Sequence, residues 1–188
     1  MPVGGGCALL ERLRAETRTR HAALDGAIGP EVSRSRESYG RFLDASFVAS
    51  AALEASVQRR LGPNYPVQRA AKLRADLEDL GVAVPAMPAA FEVESEAEAF
   101  GCAYVLEGSA LGGLVLATAV RRLLGDDVPT RYLVLRGPET AQRWRWFLDE
   151  LNAFGTRATD EEHAGASRAA GAAFDLYGTA MVRATARP

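Results

Sequence analysis

A chain of 188 residues is long enough to fill one core and short for two, so a single domain is expected over residues 1–188. With 48 % apolar and 24 % charged residues it has the make-up of an ordinary globular protein, and a formal charge of −2 gives nucleic acid no electrostatic footing. Only two cysteines, Cys7 and Cys102, and two histidines, His21 and His163, are present. That excludes a disulfide framework, a thiolate metal site and a multi-histidine metal centre, and it points to a reducing cytoplasm. Residues 1–7 read as a loose segment, with neither the early positive cluster nor the apolar run of a signal peptide.

Helical signals dominate, which predicts an all-α fold. The first helix is expected over about Ala8–Leu24, ending before Gly26 and Gly29-Pro30. Along it Leu10, Leu13, Thr17, His21, Leu24 and Ile28 recur at steps of three and four, which places the imidazole of His21 on the face expected to be buried. A second helix is expected from near Ser38 to Gly62-Pro63, its wide apolar face marking it as central. A third is expected over about Val67–Leu80, stopping at Gly81, and a connection containing Pro85 and Pro88 follows.

Ser95 and Glu98 have capping-box spacing and open a fourth helix reaching about Leu124. Its stretch from Gly101 to Val120 is almost free of charge and contains Gly108-x-x-x-Gly112, a spacing also found where helices meet in lipid. Glu107 at mid-span argues for a buried helix of a bundle instead. Arg131–Arg136 is too short to classify and fits either a strand or a helical turn. A fifth helix is expected over about Glu139–Phe154, and a last one from the Thr159/Glu162 capping box to about Arg183, with His163 solvated near its start.

Four glycines inside one helix, Gly101, Gly108, Gly112 and Gly113, cost roughly 4 kcal/mol relative to alanine and call for compensation. Either the helix packs closely on a neighbour through Gly108 and Gly112, or a ligand lies against its bare backbone. An inward imidazole opposite a helix without side chains suits a flat iron porphyrin, with the nitrogen as axial ligand. Arg14 and Arg18 flank His21 and suit either carboxylates at the edge of such a ligand or a solvated, salt-bridged surface.

Five segments in this order resemble the bacterial haem oxygenases associated with bacteriophytochromes. Leu13-Arg-Ala-Glu-Thr17 through His21-Ala-Ala-Leu-Asp25 resembles the proximal helix of that family, Tyr39-Gly-Arg-Phe-Leu43 the start of its second helix, and Leu73-Arg-Ala-Asp-Leu-Glu-Asp-Leu-Gly81 its third. Tyr104-Val-Leu-Glu-Gly-Ser-Ala-Leu-Gly-Gly113 is similar to its distal-helix signature, and Glu139-Thr-Ala-Gln-Arg-Trp-Arg-Trp-Phe147 is a further match. The resemblance implies a helical bundle with haem between proximal and distal helices. The implied activity is O2-dependent opening of haem to biliverdin, with release of iron and carbon monoxide and with electrons from a ferredoxin or similar reductant.

The same resemblance implies His21 as iron ligand and Gly108, Ser109, Gly112 and Gly113 on the distal side. It implies Arg14 at a haem propionate, with Arg145 as a further candidate, while Arg18 and Tyr104 are expected near the ligand. Ser109 stands where mammalian members carry an aspartate, and Asp149 stands where some relatives have a second propionate arginine. Haem and a redox partner are the implied partners, with a bacteriophytochrome as acceptor of the biliverdin and no role for nucleic acid or membrane. The rival reading is a carrier or sensor that holds haem without degrading it. A helical interaction module is a third reading and binds no haem.

Overall fold

The computed structural model describes residues 8–62, 65 and 68–186. The expected loose segment 1–7 with Cys7, the Pro63 stop and the Val67 start lie outside the described residues. Seven α-helices and no strand occur among the described residues: α1 (Ala8–Val32), α2 (Arg36–Leu61), α3 (Arg69–Asp79), α4 (Glu96–Leu124), α5 (Arg131–Val134), α6 (Thr140–Arg157) and α7 (Asp160–Thr185). A 3₁₀ turn, Gly137–Glu139, leads into α6.

Two helix starts are set by the caps that the spacing predicts. The Ser95 hydroxyl accepts from the Glu98 N–H at 3.2 Å, while the Glu98 carboxylate turns back to the Glu94 N–H at 2.7 Å. Thr159 and Glu162 form the full reciprocal box at α7. α2 begins earlier than Ser38, because Ser35 is the cap and accepts from the Ser38 N–H at 3.1 Å. The 131–136 stretch is one helical turn, α5, not a strand.

α1 runs well past the expected stop at Leu24. Its apolar stripe continues at four-residue steps through Ile28 to Val32, which is fully buried. Burying Val32 and part of Ile28 contributes about 2–4 kcal/mol, which offsets the roughly 2 kcal/mol cost of Gly26 and Gly29. Thr17 sits on the same buried stripe because its hydroxyl donates to the Leu13 carbonyl at 2.7 Å.

α2 buries most of its length, with Phe42, Leu43, Phe47, Leu53 and Val57 in the core. α4 and α7 share the most extensive helix pair, and α7 also packs on α1 and α2. Their approach explains Gly101: a Cβ there would collide with the backbone of Ala166 on α7. By length and composition α4 is apolar enough to cross a membrane. Here it is a core helix, in contact with α1, α2, α5, α6 and α7.

Cys102 is buried on α4, and burial pushes its thiol up to about 12, so it stays protonated and inert. His163 corrects an expectation. It is half-buried, with Nε2 3.0 Å from the Gly155 carbonyl, because the tight connection between α6 and α7 folds it back onto the end of α6.

Candidate active site

Between α1 and α4 lies a cavity of about 410 Å³. α1 contributes His21, Leu24, Asp25 and Ile28 to its wall, and α4 contributes the run from Gly108 to Gly113. Phe42 and Ser46 of α2, Phe174 and Tyr177 of α7, and Tyr132 and Leu133 of α5 close the remaining sides.

The His21 side chain is 55 % exposed, against the expectation of burial. The reason is physical. At this level the α1 stripe faces an open slot, not packed side chains, so the imidazole keeps access to solvent. Its Nδ1 lies 2.9 Å from Asp25 Oδ2, and its edge meets the Phe174 ring at 5.5 Å between centroids. A carboxylate on Nδ1 fixes the ring and leaves Nε2 as the free nitrogen. Asp25 lies four residues after His21 on α1, and sequence reasoning missed its contact with the ring nitrogen.

The glycines of α4 divide between the two readings their spacing left open. Gly101 and Gly113 serve close packing, since a Cβ at Gly113 would collide with the Leu133 carbonyl of α5. Gly108 and Gly112 do not pack on another helix backbone. A Cβ at Gly112 would meet nothing within 4 Å, and one at Gly108 only the Trp144 ring at 3.8 Å. The bare backbone therefore faces the cavity.

Ser109 donates its hydroxyl to the Leu106 carbonyl at 2.9 Å and accepts from Arg69 Nη1 at 3.3 Å. Arg69, at the start of α3, also donates to the Leu106 carbonyl. Its side chain lines the cavity, yet the residue is only 2 % exposed. Among the described residues its Nε has no partner, and no carboxylate pairs with the guanidinium. The buried Glu54 carboxylate accepts from the Arg69 backbone N–H and lies near enough for the two charges to interact, which leaves the guanidinium free to orient a water beside it. No local pattern marked Arg69, which meets Ser109 across 40 positions of sequence.

Tyr104 lines the cavity, tilted against Trp144 at 6.1 Å between ring centroids. Arg14, Arg18 and Arg145 are exposed and are not brought to the cavity wall. Arg14 lies about 10 Å along the helix axis from His21, and Trp144 takes the inward place beside Arg145. Asp149 is exposed as well.

Glu107 points away from the cavity, its side chain 1 % exposed. It accepts from Arg143 Nη2 at 3.2 Å and from Arg136 Nη1 at 3.4 Å. Arg143 in turn stacks 3.7 Å from the Trp146 ring centroid. Removing one partner from a buried pair leaves charge uncompensated. Glu107→Ala is expected to destabilise the fold by about 3–5 kcal/mol in denaturant titration, and a loss below about 1 kcal/mol would show the pair to be dispensable.

The site is a slot in an all-α bundle, with an imidazole on one wall and exposed helix backbone on the other. The family described as "Heme oxygenase" matches residues 7–183. Among solved structures, the NO- and CO-bound heme oxygenase from Neisseria meningitidis is similar at 26 % identity, covering 94 % of this chain and 91 % of that one with a TM-score of 0.72. Comparison with curated proteins found no match. The chain belongs to the haem oxygenase family, an enzyme family whose substrate is haem.

The residues present fit that substrate. The cavity is flat-walled by glycine where a ring would lie, its sides are aromatic and aliphatic, and it offers one imidazole nitrogen for iron.

Proposed function

We propose that this chain, as one haem oxygenase-like domain, opens haem to biliverdin with release of iron and carbon monoxide. The reaction would use O2 and electrons from a ferredoxin, with its reductase, or from a similar reductant. The observation that carries the reading is the His21 imidazole, with Nδ1 taken by Asp25, across the cavity from Gly108 and Gly112. When bound, haem supplies the iron at which O2 is activated.

The residues of the chain do the rest. Asp25 holds the Nδ1 proton of His21 and keeps the ring aimed into the slot. Gly108 and Gly112 allow the α4 backbone to approach the ring plane. Ser109 and Arg69 put polar groups at that ceiling and could orient a water beside a bound ligand. Phe42, Phe174, Leu24 and Ile28 exclude bulk water from the sides. Arg14, Arg18 and Arg145, exposed on α1 and α6, are proposed for the propionates and for an acidic redox partner. A cytoplasmic site of action and a bacteriophytochrome as consumer of the product belong to the same reading.

Haemin titration tests it, followed by reduction under air with ascorbate and with a ferredoxin system. A 1:1 Soret band and then biliverdin are expected. Binding without conversion in both reducing systems would make the protein a carrier or sensor. No stoichiometric binding would reject both.

A further inference from the structure

The cavity end beside Gly113 is closed by α5, whose four residues form a single turn too short to sustain itself. Its own cap residue, Thr130, gives it no side-chain bond. The cap comes from another helix. Asp76, in the last turn of α3, accepts from the Arg131 N–H at 3.2 Å and the Tyr132 N–H at 2.8 Å, and also from Arg131 Nη1 at 3.1 Å. Its side chain is 0 % exposed, and these three N–H groups are donors to a buried carboxylate.

What Asp76 holds is the ceiling of the site. Held in this way, α5 carries the Leu133 carbonyl to the place a Gly113 Cβ would occupy, and both Tyr132 and Leu133 line the cavity. The chain then leaves α5 through Leu135, which has a positive φ of 42°. The other end of α3 reaches the same helix, through Arg69 to Leu106 and Ser109. α3 touches the cavity only through Arg69, yet it grips α4 directly near residue 106 and indirectly at residue 113, about 10 Å apart along the helix.

We propose that Asp76 is a positioning residue: by capping α5 it pins the Leu133 carbonyl against Gly113 and so sets the height of the α4 backbone above the ring. The inference rests on the haem oxygenase reading for its consequence but not for the brace itself. In Asp76→Asn an amide with one acceptor and one donor replaces a carboxylate that faces three N–H groups. Amide hydrogen exchange in the free protein is expected to quicken together in residues 131–135 and 110–116. In the ferrous CO complex the C–O stretching band should move and CO dissociation should change by about fivefold, the size of a typical coupling between touching residues.

Gly113→Ala leaves Asp76 in place, displaces Leu133 from the other side and should give the same changes. The double variant should add little to either. The inference is overturned if exchange quickens in 131–135 alone, if Asp76→Asn lowers stability while the CO band and kinetics stay as in the wild type, or if the two substitutions add. Should Asp76→Asn not fold, Gly113→Ala with unaltered CO behaviour overturns it as well. A wild-type protein that binds no haem would reject the functional reading, and hydrogen exchange alone would then decide the brace.

Discussion

A His21→Ala variant is expected to fold like the wild type and to lose the axial imidazole signature of its haem complex. The first half follows from exposure. The side chain is 55 % exposed and makes one exposed i, i+4 contact with Asp25 and one edge contact with Phe174. Such contacts contribute about 0–1 and 0.5–1.5 kcal/mol. The second half follows from the cavity, in which His21 is the one imidazole among the lining residues described. Turnover should fall more than about 100-fold, beyond the 10–100-fold usual for losing only a partner behind a ligand, which is the loss expected of Asp25→Ala. Electronic absorption and turnover of the two variants check this, and an unaltered haem spectrum in His21→Ala would reject the assignment.

Gly112→Leu is expected to separate stability from activity. A Cβ at this position meets nothing within 4 Å, so the substitution fits the free protein. Leucine in place of a helical glycine contributes about 1 kcal/mol, or a rise of about 2–4 °C in Tm for a chain of this size. The new side chain projects into the slot, so haem affinity and biliverdin formation should both be lost. Thermal melts of the free protein and haemin titration read the two effects independently. A variant that melts higher and still turns over would show that the ring does not lie against this backbone. Leucine at the neighbouring glycines would mislead, since Gly101 and Gly113 meet backbone and so large a side chain would disrupt packing first.

The contrast among these glycines shows what the sequence could carry. Their clustering in α4 was legible because each one opposes helix propensity, so some compensation had to exist. Which glycine met a helix and which met empty space was not, because that depends on where Ala166 and Leu133 arrive from distant parts of the chain. Helix starts at Ser95 and Thr159 were readable since a cap is a local device. The end of α1 was not, since burial of Val32 is a tertiary effect that overrides two local stop signals.

The site divides in the same way. His21 stood out through its place on a helical stripe, but the stripe does not distinguish a packed core from the wall of a slot, and the exposure of the ring was misjudged. Arg69 and Asp76 left no trace in spacing. Each is a charged residue on a short helix that reads as surface, and each is buried only because α3 lies between α2, α4 and α5. Arg14 and Arg18 project from the exposed side of α1 and do not line the cavity, so their place on the helix suits a ligand edge or a solvated surface equally.

The structure of the haem complex is the most direct test. Iron bonded to His21 Nε2, with the ring between that imidazole and the backbone at Gly108 and Gly112, is the expected result. A ring held elsewhere on the bundle, or iron bonded to a different side chain while His21 faces solvent, would contradict it.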